Sequence, residues 1–187
     1  MEKGRNIGEY EHLSVECDSF QEGVLIAGDQ IEEISSRKDL VLVVVEGSSQ
    51  KVGKTTLGNA IGRRMVNRGM HVIHCGRLLL GAALTSWMMS RRFSEAAKKG
   101  LVILQEGETS MIPSNQVEEY RTMKEDRIIT HDIRKYLEMA GFGNCGVDLW
   151  LTIYTPEKPL FMPKDGNERL VSPGDITICN RGSVNDE

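Results

Sequence analysis

The chain has 187 residues, of which 40% are hydrophobic and 27% charged, and a formal net charge of −4. A chain of this length forms one domain with at most a short appendage, and buries roughly 70% of the surface its unfolded form exposes. Its apolar runs fall short of the roughly 18 residues a membrane helix needs, and its acidic balance removes any bulk electrostatic argument for nucleic acid, leaving only local basic patches.

Residues 1–10 are charged and lack the apolar segment of a signal peptide, so a cytoplasmic, intracellular protein with no membrane span is expected. Residues 1–38 are polar and acidic, with one short helical stretch at 27–34, and read as an N-terminal arm or small cap. From 39 to 187 the pattern is that of a folded domain. Leu40, Val41, Leu42, Val43, Val44 and Val45 form a continuous, mostly β-branched run, as in a strand buried on both faces. A helix is expected over 54–67, ended by Gly69, then a short strand over 70–75 and a helix over 78–90. Ser94 is placed to cap a short helix at Ala96 and Ala97 that stops by Gly100. Residues 101–104 read as a third strand, 116–139 as mostly helix ending near Gly141, 147–154 as a fourth strand and 175–179 as a fifth. Strands alternating with helices imply right-handed crossovers. The expected fold is α/β, a three-layer α/β/α sandwich with a mostly parallel sheet of about five strands. In such sheets ligands bind at the carboxyl ends of the strands, which directs attention to the loops starting at Glu46, Gln105 and Thr155. Cys17, Cys75, Cys145 and Cys179 form no C-x-x-C pair, so buried free thiols are expected rather than a zinc site.

Between the first strand and its helix stand Gly47, Ser48, Ser49, Gln50, Lys51, Val52, Gly53, Lys54, Thr55 and Thr56. Small residues let successive backbone N–H groups turn inward as an anion nest, and the helix N-terminus adds its positive dipole end. Gly53 leaves room for backbone to approach a phosphate. Lys54 is the residue to reach the β- and γ-phosphates, and the Thr55 hydroxyl to join a Mg²⁺ shell. This is the pattern of a P-loop that binds ATP with Mg²⁺. Five residues separate the two glycines where four are usual, so either Ser48 takes the first glycine's place or the loop is one residue longer. The longer form resembles the dethiobiotin synthetase and molybdopterin-biosynthesis families. Lys51 is either a second phosphate contact or a solvated loop lysine.

The run Leu101, Val102, Ile103, Leu104 delivers Gln105 and Glu106 to the carboxyl end of the third strand, as in a Walker B segment. A carboxylate there orients an attacking water, and Glu106 fits that role, with Glu108 as the alternative acid and plain turn carboxylates as the bland reading. The position that commonly carries a metal-holding aspartate is Gln105, an uncharged amide, which weakens the metal argument.

The order of parts resembles the FtsK/HerA-type DNA-translocating ATPases and the small packaging ATPases of membrane-containing viruses. The P-loop is followed by a strand ending in an acid, a helix ending near glycine, and the strand 147–154 with Thr155 and Pro156 after it. The resemblance spans about 40–180, with only the P-loop specific. It implies an additional-strand ATPase, a homo-oligomeric ring, and coupling to duplex DNA. It also implies a cross-subunit arginine finger, for which Arg134, Arg127 and Arg121 are the candidates, Arg134 first. Two positions depart from it: the sensor glutamine is Tyr154, and the arginine closing the helix is replaced at Gly141.

A second resemblance is to small nucleotide kinases. Val45, Glu46 and Gly47 before the loop, and Asp148, Leu149, Trp150 and Leu151 before Pro156 and Glu157, are similar to thymidylate-kinase-like sequences. Against it, Gln105 and Glu106 stand where kinases place an Asp-Arg pair, and the lid stretch 161–172 holds only Lys164 and Arg169 as cations. A slowly hydrolysing nucleotide switch is the third reading. Asn180 and Arg181 either touch the base or cap the chain end, and Trp87 and Trp150 are expected in the core.

Overall fold

The computed structural model of the protein describes residues 14–108, 112, 114–127, 146–164, 167–170 and 174–182. In chain order they form β1 (Val15–Cys17), α1 (Phe20–Ser35), β2 (Leu40–Gly47), α2 (Lys54–Asn67), β3 (His71–Gly76) and α3 (Leu80–Phe93). There follow β4 (Gly100–Glu108), α4 (Val117–Glu125), β5 (Leu149–Tyr154), β6 (Phe161–Lys164), β7 (Asn167–Leu170) and β8 (Ile176–Cys179).

Six strands make one sheet in the order β1-β8-β5-β2-β4-β3. Every pairing in it is parallel. Strand alternation then sorts the side chains into two layers. Val41, Val43 and Val45 of β2 point to one face with Leu149, Leu151 and Ile153 of β5, against Ala27 and Ile31 of α1 and Leu57, Ile61 and Met65 of α2. Leu40, Leu42 and Val44 point to the other face with Val102 and Leu104, against Leu80, Leu84 and Trp87 of α3. The fold is therefore the expected three-layer α/β/α arrangement, with six strands in its sheet rather than about five. Trp87 and Trp150 are core residues, 1% and 2% exposed.

Two expectations are corrected. The additional-strand arrangement would insert a strand between the one preceding the β2–α2 loop and the one bearing the candidate acid. Here β4 pairs with β2 directly, residue by residue from Leu40↔Gly100 to Val45↔Gln105. Residues 15–35, assigned to an arm or cap, belong to the domain itself. β1 extends the sheet beside β8, and α1 packs in the same layer as α2. The α1 start is set by Ser19, whose Oγ accepts the Glu22 N–H, while the Glu22 carboxylate accepts the Asp18 N–H, one residue ahead of the N–H a capping box uses.

β6 and β7 form a separate antiparallel hairpin between β5 and β8. The helix expected over 116–139 is α4 in its first part, and the rest of that range lies largely outside the described residues, which resume at Gly146. Among the described residues no helix is long and apolar enough to cross a membrane.

Candidate functional site

The parallel sheet sets the carboxyl ends of β8, β5, β2 and β4 side by side at one edge. The β2–α2 loop turns there. β2 stays in the ladder through Gly47, which pairs with Ile153, and the Ser48 N–H still donates to the Ile153 carbonyl at 3.0 Å. The Ser48 hydroxyl donates to the Lys158 carbonyl at 2.5 Å. The strand thus ends at Gly47, with Ser48 still hydrogen-bonded to β5 just beyond it. Ser48 is a fully buried anchor, and Val52 is likewise buried, as a core side chain.

Gly47 and Gly53 are required by close approach and by backbone angle. A Cβ on Gly47 would stand 2.7 Å from Val52 Cγ2 and 2.9 Å from the Lys54 stem. Gly53 has φ +108° and is the N-cap of α2, with no side-chain cap bond. Gly53 itself therefore adds no side-chain cap to the first turn of α2, whose N–H groups have no partner within the helix. Lys54, 8% exposed, lies across the loop and donates from Nζ to the Ser49 carbonyl at 3.1 Å. Ser49 is half-buried, while Gln50, Lys51, Thr55 and Thr56 are exposed.

Thr55 Oγ1 donates to Gln105 Oε1 at 3.1 Å. Two neutral oxygens, one from the helix start and one from β4, therefore converge beside Lys54. Behind them His74 of β3 bonds Asn59 Oδ1 through Nδ1 at 3.0 Å. Burial pushes the His74 pKa below its ordinary value, and the neighbouring Gln105 side chain partly opposes this. His74 was not singled out in the sequence; the period-2 pattern of β3 puts it on the α2 side of the sheet, where the small Gly58 makes room for the ring.

β4 runs past the expected strand end, to Glu108. Its register with β2 jumps between Val45↔Gln105 and Gly47↔Glu108, so Glu106 and Gly107 together oppose Glu46. Such a bulge bends the strand and re-aims its side chains, a device frequent beside functional sites. The backbone places both candidate acids, Glu106 and Glu108, at the edge where Gly47 turns.

Directly under the loop sits a polar cluster that the sequence did not reveal. Glu46 is fully buried and accepts from Lys124 Nζ, from Tyr120 Oη and, at 2.6 Å, from Thr152 Oγ1. Lys124 is 6% exposed, with its ammonium 5.4 Å from the Trp150 ring centroid. This ties α4 to the ends of β2 and β5.

The structure separates other candidates from the site. Asp148 holds Lys38 Nζ at 2.6 Å and the Leu42 N–H at 2.8 Å, at the amino edge of the sheet, away from the loop. Arg127 is likewise committed at that far edge, to Asp175 just before β8, with one contact of 2.6 Å. Arg121 bonds Glu118 of its own helix at 3.0 Å and 3.1 Å. Arg134 and Cys145 lie outside the described residues. Asn180 turns back to the loop, Nδ2 donating to the Val52 carbonyl at 3.0 Å. Tyr154 stands opposite Cys179, and a side-chain hydrogen bond with Cys179 and the phenol's own burial raise its pKa.

Among the described residues no three His, Cys, Asp or Glu side chains gather to hold a metal ion. Compared with family models, curated proteins and solved structures, the chain matches none.

Proposed function

We propose that this chain binds a nucleoside triphosphate, ATP in the first instance, on residues 49–56 and cleaves its terminal phosphoryl group with Mg²⁺. The observation that carries the reading is the joint placement of Lys54 across the loop and of Thr55 against Gln105. A lysine lying on a loop carbonyl is held where a chain of phosphates would take that carbonyl's place. The first turn of α2 supplies amides and a positive dipole end for the same anion.

Thr55 Oγ1 and Gln105 Oε1 are hard oxygen donors, suited to a small divalent ion that takes its remaining ligands from phosphate and water. They are the residues that would hold Mg²⁺, which supplies charge neutralisation of the transferred group. In this reading the Lys54 ammonium stabilises charge developing on the γ-phosphoryl oxygens. Glu106, or Glu108 across the bulge, orients the attacking oxygen and accepts its proton.

Two outlets for the phosphoryl group compete. Transfer to water, coupled to duplex DNA in an oligomer, is what the translocase resemblance implies, with Arg134 as its candidate finger. Transfer to a small acceptor such as a nucleotide gains support from two observations: the direct β2–β4 pairing, and the β6–β7 hairpin in the β5–β8 connection, where the kinase reading places a lid. One assay distinguishes them. ADP release is followed alone, with duplex DNA, and with nucleotide acceptors, beside a measurement of oligomer mass. DNA stimulation selects the translocase, acceptor-dependent ADP the kinase, and tight binding without turnover a nucleotide switch. Failure to bind any nucleotide overturns all three.

A further inference from the structure

The triphosphate reading accounts for residues 49–56, Gln105 and the β4 acids, but not for two side chains that reach the same loop from outside. Lys158 lies in the turn after β5 and donates from Nζ to the Gln50 carbonyl at 2.7 Å. Asn180 lies just after β8 and donates from Nδ2 to the Val52 carbonyl at 3.0 Å. Both are well held. The Lys158 N–H donates to Thr155 O at 2.9 Å, closing a turn over Pro156 and Glu157, and its carbonyl accepts the Ser48 hydroxyl. The Asn180 N–H donates to Tyr154 O at 2.7 Å.

In a trans peptide the carbonyl of one residue and the N–H of the next point in opposite directions, and none of the described peptides is cis. Fastening the Gln50 and Val52 carbonyls therefore directs the N–H groups of Lys51 and Gly53 away from Lys158 and Asn180. These two residues have φ +57° and +108°, the left-handed angles that build an anion nest by alternation. Lys51 is not a glycine, and its left-handed backbone is strained, so an outside restraint is needed to keep it there. The restraint on Gln50 is also a cation, and an ammonium on a carbonyl polarises its peptide and strengthens the N–H on the other side.

We propose that Lys158 and Asn180 are positioning residues of the nucleotide site. They pin alternate carbonyls of the loop so that the amides of Lys51 and Gly53 converge on the oligophosphate. The inference rests on the P-loop reading, and adds to it that the β5 and β8 connections, not the loop sequence alone, preorganise the nest.

The test titrates Mg²⁺-ATP and inorganic triphosphate into the full chain, as wild type, Lys158→Ala, Lys158→Gln, Lys158→Arg and Asn180→Ala. The Lys51 and Gly53 amides are followed by nitrogen–proton NMR. The wild type binds, and both amide protons move downfield. Lys158→Ala and Lys158→Gln bind about 2- to 10-fold more weakly, the scale of one ordinary hydrogen bond, and lose chiefly the Lys51 shift. Asn180→Ala loses chiefly the Gly53 shift, and Lys158→Arg restores binding. A merely structural clamp would lower thermal stability but leave the amide shifts of the bound state as in the wild type. If the wild type binds and the variants match it in affinity and shifts, the positioning role is wrong while the P-loop reading survives. A wild type that binds neither ligand sinks both.

Discussion

Replacing one member of the Glu46–Lys124 pair tests how the layer beneath the loop is held. Glu46 is fully buried and Lys124 only 6% exposed, so neither charge has water to fall back on. Lys124→Met leaves the Glu46 carboxylate with only the hydroxyls of Tyr120 and Thr152. Glu46→Gln removes the countercharge of the buried ammonium and leaves one acceptor oxygen where the carboxylate offered two. Removing one partner of a buried pair costs about 3–5 kcal/mol. For a chain of this size each kcal/mol moves the midpoint by about 2–4 °C, so each single variant should melt roughly 6–20 °C lower. Glu46→Leu combined with Lys124→Met removes both charges and should recover most of the loss, because the pair's own desolvation disappears with it. Urea unfolding followed by tryptophan fluorescence measures this, and Trp150, against which Lys124 rests, serves as the reporter. The reasoning fails if the single variants lose less than about 1 kcal/mol, as an exposed pair would, or if the double variant is no better than the singles.

Other consequences follow from separate parts of the molecule. Gly53→Ala forces a Cβ onto a backbone at φ +108° and to 2.9 Å from Asn180 Nδ2, which should lower stability by about 1–3 kcal/mol; a melting curve superimposable on the wild type's would contradict this. Because burial lowers the His74 pKa, the unfolded chain takes up its proton first as the solution is acidified. Stability should therefore fall as pH drops below about 6.5, and His74→Gln should flatten that slope in chemical denaturation. The Cys17 thiol is 2% exposed and its pKa is pushed up to about 11 by burial, with Glu22 and Asp18 adding to it, so at pH 8 it should react with a disulfide reagent only after unfolding; rapid labelling of native protein at Cys17 would show otherwise. Glu106→Gln should retain nucleotide affinity and lose turnover, and the same phenotype in Glu108→Gln instead would move the acid to the far side of the β4 bulge.

What local pattern encodes was readable in advance. The range of α2 follows from Gly53 before it, Gly69 after it and buried Leu57, Ile61 and Met65 at helical spacing. β2 follows from its unbroken Val and Leu run, and the loop between them from residue types with few other uses. Other features lay beyond local pattern for identifiable reasons. The buried face of α1 includes Gly23, Ala27 and Gly28, small residues that give little hydrophobic contrast, although Ser19 and Glu22 do have the spacing of a capping box. β1 has three residues, and β6 and β7 have four each, with Pro163, Lys164 and Asn167 among them. Glu46, Thr152 and Lys124 are polar residues in a core, paired across long stretches of chain, and no periodicity announces such a partnership. The clamps at Lys158 and Asn180 join loops more than a hundred residues apart, a fact of topology that appears only once the sheet order is known. That order also set aside the additional-strand arrangement, which the linear sequence of parts had suggested.

The central claim is that the β2–α2 loop grips a triphosphate, and calorimetric titration of Mg²⁺-ATP into the wild type and Lys54→Ala tests it most directly. The account predicts one saturable site per chain in the wild type, and binding at least about tenfold weaker without the ammonium, as expected when a charged hydrogen bond is lost. No heat of binding in the wild type at saturating magnesium, or equal affinity in the two proteins, would contradict it.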